Sequence, residues 1–189
     1  MKNIIAFITC LLFCSLCLAQ KPISLDKSPM DRAYYPDNFA HDRKFAPEKV
    51  GDKAFIRVTY SRPAKKEREI FGKLVPYSKV WRLGANESTE IKFYQDVTIQ
   101  GKKLSAGTYS LFAIPEEKQW TIIFNSDLDS WGAYSYNEAN DLLSVSVPTS
   151  KAEENIENFT IRCMKGSSDR EAILQILWDT TKVELPVQF

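Results

Sequence analysis

The chain has 189 residues, with 25 basic and 24 acidic side chains, one histidine, 44% hydrophobic and 12% aromatic residues. That length suits one domain with an appended segment and is enough for a full hydrophobic core. The balanced charge argues against nucleic acid or an anionic membrane surface as the main partner, because both reward a basic excess.

Residues 1–19 read as a secretory signal peptide. One charge, Lys2, precedes a weakly polar to apolar run from Ile4 to Leu18, and Cys17-Leu18-Ala19 offers a small-x-small cleavage site before Gln20. The run is shorter than the roughly 20 apolar residues a membrane span needs, so no transmembrane span is expected after signal removal. Cys14 and Cys17 lie where a lipoprotein cysteine would sit, yet Phe13 and Leu16 precede them where a small residue is wanted. Cleavage after Ala19 would leave Cys163 as the remaining cysteine, so no intrachain disulfide is expected in the exported, periplasmic or secreted chain.

Residues 20–50 hold Pro22, Pro29, Pro36 and Pro47, which break helices and withhold ladder hydrogen bonds. They read as an extended, irregular N-terminal arm. Tyr34, Tyr35, Phe39 and Phe45 imply that its middle packs on the body as a strap.

From residue 51 to 189 the pattern is period two. Ala54, Ile56, Val58 and Tyr60 alternate with Phe55, Arg57 and Thr59, as in a half-buried strand. "TEIKFY", "DVTI", "GTYSLFAI", "WTIIFN", "LLSVSV", "NFTIRCM", "AILQILW" and "KVELPV" repeat the theme between turn signals. The expectation is all-β: a single antiparallel β-sandwich, jelly-roll-like or a partly closed barrel. "KAEENIENF" reads as a short helix, Asp179-Thr180-Thr181 as the turn of a closing hairpin, and "DLDSWGAYSYNEAND" as an end loop.

Much familiar chemistry is missing. His41 is the single histidine, and no cluster of nitrogen, sulfur or carboxylate ligands stands at metal-site spacing, so neither a metal nor a cofactor is expected. There is no glycine-rich phosphate loop and no Gly-x-Ser-x-Gly elbow. Cys163 lies in an alternating run, as a small buried hydrophobe would.

The chemistry that is possible gathers between residues 60 and 90. Arg62, Arg68 and Arg82, with Asn86 and Glu87, are placed to converge at one end of the sandwich. Arginine's planar fork grips carboxylates bidentately, either a ligand's or that of Glu87. Tyr77, Trp81, Trp131 and Tyr134 are candidate aromatic platforms, whereas Trp120 and Trp178 fall in strand runs and belong to the core. Asn86, after Gly84-Ala85, suits left-handed backbone geometry. The same residues equally describe an internal brace in which Arg82 and Glu87 satisfy each other and buried backbone groups. A hydrolytic version needs a second carboxylate beside Glu87, and Glu90, Asp96, Asp127, Asp129 and Asp141 are the candidates.

The ordered blocks "YSRP", "IFGKLVPYSKVWRLGANESTEI", "DVTIQGKKLSAGTYSLFAIP", "WTIIFN" and "WGAYSYNEANDLLSVSV", with the terminal "LPV", resemble the bacterial domain-of-unknown-function family 2911 over roughly residues 28–187. "SPMDRAYYP" resembles a version common in exported proteins of Bacteroidetes-type bacteria. The resemblance implies an exported β-rich domain and supplies no catalytic residue. Glu67 and Ser78 stand where the resemblance leads one to expect glycine, so these positions either avoid left-handed geometry or carry strain of about 1 kcal/mol each. The favoured function is a non-catalytic binding or envelope-associated module for a glycan or small anionic ligand. The rival is a glycan-directed hydrolase built on Glu87. The two differ in whether Arg62, Arg82, Asn86 and Glu87 line an open concavity or are buried against one another.

Overall fold

The computed structural model describes residues 24–189. The segment read as a signal peptide, with Cys14 and Cys17, lies outside the described residues. The chain is all-β. Its strands are β1 (Met30–Tyr35), β2 (Ile56–Ser61), β3 (Thr89–Phe93), β4 (Val97–Ile99), β5 (Lys102–Leu104), β6 (Gly107–Pro115), β7 (Gln119–Asn125), β8 (Asp141–Lys165) and β9 (Glu171–Gln188). Two short helices, α1 (Phe39–Phe45) and α2 (Pro47–Val50), separate β1 from β2.

Every neighbouring pair is antiparallel, in the order β1-β2-β3-β6-β7-β8-β9-β4-β5, and the sheet does not close. The 25-residue β8 and 18-residue β9 make one sheet serve as two layers. The first part of β8 pairs with β7 up to Pro148, and from Thr149 onward it pairs with β9. Register breaks between Lys151, Ile156 and Thr160 bend the ladder there, as bulges do. The sheet thereby returns over β2, where Tyr60 Oη donates to Ile161 O at 3.0 Å and Arg62 Nε to Phe159 O at 3.2 Å. Ile56, Val58 and Ile91 from one layer and Ile161, Leu174, Ile176 and Val183 from the other share one core. Alternation is why this works: β2 and β3 bury every second residue, while the long run of β9 from Leu174 to Trp178 is buried throughout.

Several expectations need correction. "KAEENIENF" is strand, not helix: Ala152 and Phe159 are buried, and the helix-like spacing of its apolar residues comes from the bulge in β8. Asp179-Thr180-Thr181 is no hairpin turn. Asp179 does take left-handed geometry (φ 55°), but inside an uninterrupted β9, where its carboxylate holds Lys65 Nζ at 2.5 Å. The arm is more regular than its prolines suggest. β1 covers the edge of β2 in register from Met30 opposite Ser61 to Tyr35 opposite Ile56, and Pro47 fits the first turn of α2 because its missing N–H is not needed there. Tyr34 and Phe39 pack with Val50 and Ala54, and Tyr35 stacks on Phe189 at 5.7 Å. Phe45 is exposed and meets His41 instead of the body. The short β5 escaped sequence reading; it folds back on β4 across Gln100-Gly101, both at positive φ, as a two-residue primed turn requires.

Candidate functional site

The stretch from Trp81 to Thr89 leaves the sheet and returns to it as a tied loop. Trp81 and Ala113 exchange backbone hydrogen bonds of 2.7 and 2.8 Å, Thr89 N donates to Arg82 O at 3.1 Å, and Thr89 Oγ1 donates to Leu83 O. Within the loop Leu83 (φ 55°), Gly84 (φ 134°) and Asn86 (φ 59°) all have positive φ. Gly84 is obligatory, because a Cβ there would stand 2.8 Å from Ser61 O. Leu83 is fully buried and pays for its left-handed backbone with core contacts. The loop holds Arg82 on one side and Asn86 with Glu87 on the other.

On the Arg82 side lies a cavity of about 370 Å³. Trp81 and Trp178 line it, and they belong to a ring cluster in which they stack at 6.0 Å and Phe159 meets both edge-on. Arg68, Lys79 and Arg82 supply its charge, and no carboxylate lines it. A neighbouring cavity of about 310 Å³ shares Ser28, Pro63 and Arg68 with the first and adds Lys27 and Lys66, again without an acid. None of these five cations forms an ion pair among the described residues.

Arg82 is the unusual member. It is half-buried, and its Nε is a buried donor with no acceptor among the described residues. Burial lowers the guanidinium below the usual arginine value, an effect Tyr134 opposes. A desolvated cation without a counter-charge is energetically costly unless something anionic meets it. Arg68 is more occupied, since its Nε and Nη2 donate to Lys65 O (2.8 Å) and Ala64 O (2.6 Å).

On the other side, Asp26, Ser28, Met30, Ser61, Asn86, Glu87 and Trp131 line a cavity of about 250 Å³. Asn86 Nδ2 donates to Asp26 Oδ1 at 3.0 Å. Trp131 is 61% exposed, yet its backbone is fixed: Ser88 N donates to Ser130 O and Gly132 N to Asn86 O, both at 2.9 Å. Deeper along the same flank, Glu87, Glu90 and Asp129 share a cavity of about 240 Å³ with Thr59, Tyr60, Ser61 and Ser88.

The sequence-predicted residues therefore divide. Arg68 and Arg82 meet in the basic cavity; Asn86, Glu87 and Trp131 meet in the adjoining one. Arg62 belongs to neither, because its donors are taken by Asp31 Oδ2 (2.9 Å), Phe159 O and Thr160 Oγ1 (3.0 Å), which clamp β1, β2 and β8 together. Tyr77 is half-buried against Gly72, and burial and the nearby Glu117, Glu69 and Glu116 raise its phenol; it does not line the basic cavity. Trp81 is 7% exposed and is a core ring, with Nε1 donating to Gly84 O at 3.2 Å, so it is no open platform. Arg82 and Glu87 do not pair, and Glu87 is exposed, so the mutual brace is absent. Of the possible second carboxylates, Glu90 and Asp129 share the Glu87 cavity. Asp96, Asp127 and Asp141 are spent on Ala106 N, Asn140 Nδ2 and Asn125 Nδ2.

Sequence reasoning missed Lys27, Ser28, Lys66 and Lys79. Lys66 and Lys79 flank assigned arginines by two and three residues, which is the signal that points to them. Trp120, Trp178 and Cys163 are buried in the core as read. Burial pushes the Cys163 thiol up to about 12. His41 Nδ1 lies 2.7 Å from Asp42 Oδ1 on the exposed α1. No metal-ligating cluster occurs among the described residues, nor any helix long and apolar enough to cross a membrane.

Residues 42–187 match a family model described as protein of unknown function (DUF2911). No curated protein and no solved structure matches the chain.

Proposed function

We propose, for a chain that belongs to the DUF2911 family of proteins of unknown function, a non-catalytic role as a binding module for an anionic ligand. The observation that carries this reading is Arg82, a half-buried guanidinium with no counter-charge among the described residues, in a cavity to which they contribute Arg68 and Lys79 and no acid. A planar guanidinium beside flexible ammonium groups suits carboxylate, sulfate or phosphate oxygens. The aromatic floor excludes water from one side and strengthens each charge–charge contact. Action after export rests on the apolar run of residues 4–18 and the Ala19-Gln20 junction; N-terminal sequencing of the purified chain from its host tests it.

The test of binding is thermal unfolding with sulfate, phosphate and glucuronate at matched ionic strength. A ligand at 100 times its Kd stabilises by about 2.7 kcal/mol, which at this size raises Tm by roughly 5–10 °C. Absence of any shift beyond a chloride control overturns the reading.

A second reading has one observation of its own: Glu87, Glu90 and Asp129 line one cavity, the carboxylate supply a glycan hydrolase needs. It predicts turnover of a polysaccharide that Glu87→Gln abolishes. Reducing-end release that is equal in the wild-type protein and Glu87→Gln removes it.

A further inference from the structure

The basic cavity and the Trp131 cavity are neighbours. Both are lined by Ser28, and the loop from Arg82 to Glu87 forms their common wall. At Gly132, beside Trp131, a Cβ would lie 3.8 Å from Arg82 Nη1 and 3.1 Å from the Tyr134 ring. A charged subsite and an aromatic one are therefore within a few ångströms of each other.

The aromatic subsite has the features of a sugar platform. Trp131 exposes most of its surface on a backbone pinned through Ser130 and Gly132 to Ser88 and Asn86, so the point from which its indole projects is set before any ligand arrives. Around it stand planar polar groups: Asp26, Asn86 and Glu87. Asn86 and Asp26 use one atom each on the other, which leaves the amide oxygen and the second carboxylate oxygen as acceptors. An indole face attracts the weakly positive C–H face of a pyranose, while carboxylates and amides accept its hydroxyls. The acids that would repel an anion are confined to this subsite, and the cations to the other. Such segregation fits a ligand that is itself divided into a charged unit and a neutral unit.

Resting on the proposed anion-binding role, we infer that the ligand is an acidic oligosaccharide: its charged group enters the cavity of Arg68, Lys79 and Arg82, and an adjoining neutral sugar lies against Trp131 with its hydroxyls on Asp26, Asn86 and Glu87. The recognised unit is thus a disaccharide or longer. A lone sugar acid fills only half of the site.

The test uses immobilised oligosaccharides bearing uronate, sialate or sulfate, each beside its neutral counterpart, with free sulfate as a small-anion control. The wild-type chain is expected to retain an acidic oligosaccharide at least tenfold over its neutral counterpart. Trp131→Ala is expected to lower that retention tenfold or more and to leave the Tm shift with free sulfate unchanged, while Trp131→Tyr restores retention. Acidic retention unchanged in Trp131→Ala, or a sulfate shift with no oligosaccharide retained, overturns the oligosaccharide assignment and leaves the anion site standing. Retention and sulfate shift both insensitive to Arg82→Met overturn the anion site itself.

Discussion

Arg82→Met separates a binding residue from a structural one with a change of sign. Methionine keeps the length and apolar body of the arginine stem, so packing against the loop is largely conserved. What it removes is a buried Nε–H with no acceptor among the described residues and a guanidinium that burial already disfavours. A buried unsatisfied donor costs about 1–3 kcal/mol, more when charged, and that cost is relieved. Allowing about 1 kcal/mol for imperfect packing leaves a net gain of about 1 kcal/mol, or roughly 2–4 °C in Tm for a domain of this size. The assay is thermal unfolding of wild-type and variant protein, each with and without saturating anion. The expected pattern is a higher Tm without ligand and no further rise on adding it. A loss of more than about 2 °C without ligand would show that Arg82 braces the fold and refute the reasoning, since stranding or deleting a paired buried charge costs about 3–5 kcal/mol.

Glu67→Gly relieves a left-handed residue (φ 61°) and is expected to raise Tm by about 2–4 °C, about 1 kcal/mol of strain. Ser78→Gly (φ 59°) gains less, because its hydroxyl bonds Glu116 at 2.5 Å; equal shifts would contradict this. Gly84→Ala places a methyl 2.8 Å from Ser61 O at φ 134°, and should lower stability by on the order of 3 kcal/mol in a denaturant titration. Native Cys163, raised to about 12, is expected to react with iodoacetamide on the order of a thousand-fold more slowly at pH 8 than in urea, followed by peptide mapping. Because the folded pKa lies above the unfolded one, that thiol's contribution is intact below about pH 8.5 and lost as pH rises toward 12. Stability should therefore fall by up to about 1.4 kcal/mol per pH unit in that window, and Cys163→Ala should flatten the slope.

How much was legible in the sequence follows from which signals are local. Strand periodicity is local, and it marks β2, β3, β6 and β7 to within a few residues. The long β8 and β9 are legible only in pieces, as "LLSVSV" and "NFTIRCM" and as "AILQILW" and "KVELPV", because a bulge mimics helical spacing at Ala152, Ile156 and Phe159, and a left-handed Asp179 mimics a turn. The glycine departures at Glu67 and Ser78 were legible too: both positions do require positive φ, and the non-glycine residues accept it. Of the candidate site, the grouping of Arg68 with Arg82 in one cavity follows from their place in the chain, but nothing local says that Arg62 meets Asp31 and Thr160 from strands 31 and 98 residues away. Trp81 and Trp131 are alike in sequence; only the fold buries one and exposes the other.

Bulk neutrality conceals the feature that matters most. A chain with nearly equal numbers of acids and bases has a featureless net charge, yet five cations line two adjoining cavities that contain no carboxylate. Three acids line the cavity on the opposite flank of the Arg82–Glu87 loop, with no base among them. In water each like-charge cluster is only weakly penalised when exposed, which Lys27, Lys66, Arg68 and Lys79 are. The half-buried Arg82 is not so shielded, and segregation denies it the partner that Glu87, five residues on, could have provided. A fold under selection for stability alone would have closed that pair. Keeping the two apart, on a loop with three positive-φ residues and an obligatory Gly84, leaves the desolvation of Arg82 uncompensated among the described residues, and under the proposed binding role a ligand that brings its own negative charge offsets it.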